Sequence, residues 1–135
     1  MASLTVALLT RGQMSRKIIA VVDDLFFASK IRAAADFAQV QVSFPRHLDS
    51  VIDAIAREGA SLIICDLHSQ RIDPLDLARQ LRADERTRTI HLLGFFSHLQ
   101  TELERQAKDA GFDQVMPRSV FSRQLPELIA AKAVQ

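Results

Sequence analysis

Three acidic side chains stand where carboxylates can act together. Asp23 and Asp24 follow the apolar run Ile18-Ile-Ala-Val-Val22, and Asp66 follows the run Leu62-Ile-Ile-Cys65. A short unbroken apolar run reads as a strand buried on both faces of a parallel sheet. In open α/β sheets, sites form beyond the carboxyl ends of such strands. If the two strands are neighbours, three carboxylates meet on one rim, and their repulsion is unfavourable unless a cation sits among them. A hard, oxygen-seeking ion such as Mg2+ suits that donor set. The plainer alternative is that Asp23 and Asp24 cap the first helix and face water.

The elements that must position these acids alternate along the chain. Lys17 to Val22 is the first strand, and a helix through Phe27 to Phe37 follows the acidic pair. Val40 to Phe44 alternates with strand period. Leu48, Val51, Ile52, Ile55 and Ala56 repeat at helical spacing, with Gly59 as the stop. Ser61 to Cys65 is the third strand. Asp73-Pro74 reads as an N-cap and a first-turn proline, opening a helix whose inner face is Leu75, Ala78 and Leu81. Thr89 to Phe95 is the fourth strand, where Phe95 and Phe96 are not both expected to point inward. Thr101 to Glu104 has capping-box spacing and opens a helix closed by Gly111. Gln114 to Met116 is a short fifth strand. A last helix runs from about Ser122 to Ala133, its start limited by Pro126. Five βα units without internal repeats argue for a doubly wound parallel sheet.

Composition narrows the function classes. A chain of 135 residues fits one domain with a full core. Residues 1–15 form an N-terminal extension without an assigned element, and 16–135 form the domain. The net charge of +1 gives no electrostatic case for nucleic acid or a membrane surface. The arginines Arg79, Arg82, Arg86 and Arg88 are interrupted by Asp84 and Glu85 and read as a solvated helix end. The single cysteine, Cys65, excludes an internal disulfide, sits in a strand as buried filler, and suits a reducing, cytoplasmic setting. No Gly-rich phosphate loop occurs, which argues against nucleotide sites of the Rossmann or P-loop kind. His68 and His98 lack metal-ligand spacing and are expected in solvent; His91 is expected half-buried and neutral.

The order and spacing of these residues resemble the receiver domains of two-component response regulators over residues 16–133. The resemblance rests on Asp23-Asp24 after strand one and on Asp66, 42 residues beyond Asp24. The helix-opening Asp73 and the turn Gly111-Phe112-Asp113 add to it. It implies a flavodoxin-like (CheY-like) doubly wound sheet of five parallel strands in the order 2-1-3-4-5. It also implies that Asp66 is the phosphoacceptor and that Mg2+ is held by Asp23, Asp24, Asp66 and the backbone carbonyl of His68. Chemically, a bridging cation would offset the repulsion between a carboxylate nucleophile and a phosphoryl donor.

Other family positions depart from the pattern. The Ser/Thr after strand four counts to Phe96, with Ser97 one residue later. The Lys before the proline after strand five is Met116, while counting from Gly111 puts Arg118 at the Lys distance. Ser97 and Arg118 are therefore the phosphate-contacting candidates. The aromatic switch position falls near Val115.

The expected role is a stand-alone receiver-like signalling protein of a two-component phosphorelay, not an enzyme. Its partners would be a histidine kinase or phosphotransfer protein and a downstream protein reached through helix four, strand five and helix five; a homodimer is compatible with this. The alternative is a phosphorylation-independent pseudo-receiver acting as a protein-interaction module. A small metal-dependent phosphohydrolase is the weakest reading, since no general acid is evident.

Overall fold

The computed structural model describes residues 17–97 and 101–133. The extension at 1–15 and His98 lie outside the described residues. Five strands alternate with five helices: β1 Ile18–Val21, α1 Leu25–Phe37, β2 Val42–Ser43, α2 Leu48–Glu58, β3 Leu62–Asp66, α3 Pro74–Ala83, β4 His91–Phe96, α4 Thr101–Ala110, β5 Gln114–Pro117 and α5 Arg118–Ala133. The strands form one parallel sheet in the order β2-β1-β3-β4-β5. The expected doubly wound arrangement is therefore observed.

Both faces of the sheet are covered, which explains the unbroken apolar strands. On one face Ile18, Ala20, Ile64 and Leu93 pack against Phe27, Ile31 and Ala35 of α1 and Phe121, Leu125 and Ile129 of α5. On the other, Ile19, Val21, Ile63 and Leu92 meet Val51 and Ile55 of α2, Leu77 and Leu81 of α3 and Ala107 of α4. Phe95 and Phe96 are both core residues, one on each face. The expectation that only one would be interior failed because alternation here leads to two interiors. Cys65 is fully buried, and burial pushes its thiol well above the usual range.

Local chemistry sets the helix ends. Asp73 caps α3 by accepting from the N–H groups of Leu75 (3.0 Å) and Asp76 (3.4 Å), with Pro74 in the first turn. The helix α5 begins at Arg118, well before the expected Ser122, and carries Pro126 in its interior. An interior proline costs about 3 kcal/mol. The buried stripe of Phe121, Leu125 and Ile129, spaced one turn apart, outweighs it. Pro126 itself faces outward, into an apolar groove with Ala34, Phe37 and Ala130.

Arg82 also differs from its expected place in solvent. Its guanidinium donates to the carbonyls of Gly111 (2.9 Å), Ile90 (2.8 Å) and Arg88 and to Asp113 Oδ2 (2.7 Å). Gly111 has φ 122°, and a Cβ there would stand 2.6 Å from Arg82 Cγ, so both conformation and space call for glycine. Among the described residues, no helix is long and apolar enough to cross a membrane.

Candidate functional site

The pairing of β1 with β3, Val21 beside Cys65, brings the ends of the two acidic strands together. The pairing of β3 with β4 sets Asp66 beside Phe95. Pro117, paired with Phe96, leads directly into Arg118 at the start of α5. The rim predicted from two apolar runs is thus built from β1, β3, β4 and the β5–α5 junction.

Each carboxylate is engaged in its own way. Asp23 accepts from Ser69 Oγ through Oδ1 (2.9 Å) and from the Gln70 N–H through Oδ2 (2.8 Å). It therefore ties the loop after β3 to the end of β1. Asp24 caps α1, its Oδ1 accepting from Phe26 N–H (2.7 Å) and Phe27 N–H (3.4 Å). Its Oδ2 faces Arg118 Nη2 at 3.5 Å. Asp66 is half-buried, with Oδ1 accepting from the His68 N–H at 2.9 Å.

The environments of Asp66 and Asp23 push in opposite directions. Burial raises the Asp66 carboxyl above its ordinary value, and the charge on Asp23 raises it further. The His68 N–H, the His68 ring and Arg118 offset only part of this. Burial would also raise Asp23, but bonds from Gln70, Ser69 and Arg71 outweigh it and hold that carboxyl low.

Opposite linkage follows. The raised Asp66 weakens the fold as pH rises through its titration, so Asp66→Asn should be more stable than wild type at neutral pH. That advantage should vanish on acidification below the ordinary carboxylate range. The depressed Asp23 stabilises above the unfolded-state value and ceases to as pH falls through its own. Asp23→Ala should cost about 1–2 kcal/mol at neutral pH, a figure already reduced for its partial exposure, and little in acid. Thermal melts of both variants across pH check the pair.

These engagements bear on whether the acids suit a shared divalent ion. Such an ion asks for about six oxygen ligands. Among the described residues, no three His, Cys, Asp or Glu side chains are grouped as a metal site. Each oxygen of Asp23 accepts one hydrogen bond and keeps a second lone pair, while Asp24 is divided between a helix cap and Arg118. Only Asp66 Oδ2 is without a protein partner in the described hydrogen bonds. As placed, the three carboxylates are turned to separate protein partners rather than gathered round one point.

The other sequence candidates divide. Arg118 lies on the rim, its guanidinium carbon 4.1 Å from the Phe27 ring centroid. Ser97 is exposed at the end of β4, while Phe96 is buried in the core. Met116 is buried too. His68, expected in solvent, is half-buried, and its shielded Nε2 has no hydrogen-bond partner among the described residues. His91 is half-buried as expected, its Nε2 2.8 Å from Gln114 Oε1.

A feature that sequence reading missed lies beneath the rim. Phe27, Phe95 and Phe121 form a stacked trio, with Phe95 and Phe121 4.5 Å apart and within 7° of parallel. Phe27 lies 5.5 Å from Phe95 and 6.4 Å from Phe121. All three are buried. Their one sequence signal was that each occupies an inward position of a separate element, which does not reveal that the rings meet.

No protein-family model matches this sequence. No characterised protein matches it by sequence. Solved structures do match. A response regulator from Hahella chejuensis superposes with TM-score 0.76 at 15% identity, covering 87% of this chain and 95% of that one. The signal receiver domain of a response regulator from Bermanella marisrubri gives 0.74 at 22% identity, covering 90% and 99%. The fold is that of a response-regulator receiver domain. A CheY-like receiver domain protein from Methanospirillum hungatei agrees, with TM-score 0.72 at 18% identity over 89% and 94% of the two chains. At these identities the likeness establishes the fold, and the receiver-like chemistry rests on the residues themselves.

Proposed function

We propose that this chain is a receiver-fold signalling module that works by protein–protein contact and has no phosphoryl-driven switch. The observation that carries the reading is what stands at the two switch positions. Where a mobile hydroxyl would sense a phosphoryl group the chain has buried Phe96, and where a rotating aromatic would follow it the chain has Val115. A ligand shifts a conformational equilibrium only through interactions that differ between its two states. Buried Phe96 and aliphatic Val115 supply neither the hydroxyl nor the ring through which two arrangements would differ toward a phosphoryl group.

The surface supports contact through α1 rather than the expected face of α4, β5 and α5. Among the described residues, the exposed large apolar side chains are Leu25 (81%), Phe26 (63%) and Phe37 (93%), all on α1. The outer face of α4 instead carries Arg105 paired with Glu102 and Asp109, and Lys108 paired with Glu104. Exposed apolar groups gathered on one element mark an interaction surface better than such ion pairs do.

Phosphate acceptance on Asp66, from a histidine kinase or phosphotransfer protein, is the second reading. It is favoured by one observation: among the described residues Asp66 Oδ2 has no protein partner, while Oδ1 is held by His68. Incubation with a small phosphoryl donor and Mg2+, read by intact mass, tests both. The proposed function expects no modification. Modification of wild type but not of Asp66→Asn would restore the phosphorelay role.

A further inference from the structure

We infer that the Arg118 guanidinium is the resident cation of the acidic rim and stands in the place a divalent ion would need. Three observations meet in this one side chain. Its Nη2 faces Asp24 Oδ2, the Asp24 oxygen left over from capping α1. Its guanidinium carbon lies over the buried Phe27 ring, 4.1 Å from the centroid, a contact that holds a guanidinium better than an ammonium. Its charge reaches Asp66 and opposes the effect of burial there.

The long ion pair with half-exposed Asp24 would be weak alone. The aromatic perch fixes the guanidinium, and the pair directs its charge toward the acids. An incoming dication would meet this fixed positive charge and would also have to displace it from Asp24. Asp23 is oriented toward Ser69 and Gln70, so a dication drawing on it would compete with those bonds.

This account differs in sign from the simpler idea that Arg118 is a phosphate-contacting group helping a metal-loaded site. A helper's removal would leave ion binding unchanged or weaken it. A resident cation's removal should create binding. Arg118 is part-exposed, so its truncation leaves the core intact.

The test uses the full chain, with Mn2+ as probe read from the free-ion electron paramagnetic resonance signal and with Mg2+ as competitor. Wild type should bind at least about tenfold more weakly than Arg118→Ala, for which saturable binding should appear. Arg118→Lys, which keeps the charge but is held less firmly over the ring, should fall between wild type and Arg118→Ala. Arg118→Ala combined with Asp66→Asn should lose what the single variant gained. Circular dichroism confirms folding, and Arg118→Gln serves if the alanine variant unfolds. Equal Mn2+ affinity in wild type and Arg118→Ala, or no binding in either, would overturn the inference. No phosphoryl donor is present, so the outcome is independent of whether Asp66 is phosphorylated.

Discussion

Phe121→Ala should lower the unfolding free energy by about 3–5 kcal/mol, the usual loss for truncating a buried Phe. The ring is fully buried and lies nearly parallel to Phe95 at 4.5 Å. Its removal leaves a cavity between α5 and the end of β4, and aromatic pairing adds about 0.5–1.5 kcal/mol beyond area burial. A domain of this size has about 5–15 kcal/mol in total. The variant should therefore show a much lower urea midpoint with an unchanged slope. Phe121→Leu, which keeps most of the volume, should cost less than about 1.5 kcal/mol. Equal losses would mean that filled volume matters little and that the ring contacts carry the effect.

Arg82→Ala should cost about 2–4 kcal/mol, although sequence reading places it in a solvated basic stretch. One guanidinium joins the end of α3 to the approach to β4 and to the α4–β5 turn through Arg88, Ile90, Gly111 and Asp113. Asp113 Oδ2 also accepts from the Leu92 N–H at 2.8 Å, so the turn and the strand share this knot. A hydrogen bond from a charged donor contributes about 1.5–3 kcal/mol, and partial exposure of the side chain reduces the sum. Arg82→Lys should rescue little, because a point charge cannot serve several acceptors in a fork. Arg86, paired only with neighbouring Asp84 in solvent, should show no measurable change on truncation. Urea melts of the three variants separate structural arginine from surface arginine.

The contrast between Arg82 and Arg86 shows where sequence reading stops. Strand and helix order was legible because two-sided burial writes unbroken apolar runs, as in Leu62 to Cys65, and because Asp73-Pro74 announces a helix start. The three acids at the ends of β1 and β3 were legible for the same reason. What those acids bind was not. Asp23 holds Ser69 and Gln70, more than forty residues away, and no local pattern reports a loop folding back onto a strand end. The start of α5 was missed because the cost of Pro126 is local, whereas the burial that outweighs it is tertiary.

Amide spectra of the 15N-labelled chain, recorded before and after Mg2+ and a small phosphoryl donor, test the absence of a switch most directly. The account predicts that resonances of β4, α4, β5 and α5 stay where they were, because buried Phe96 and Val115 stand where a hydroxyl and a rotating ring would be needed. Concerted shifts across those elements, abolished by Asp66→Asn, would contradict it.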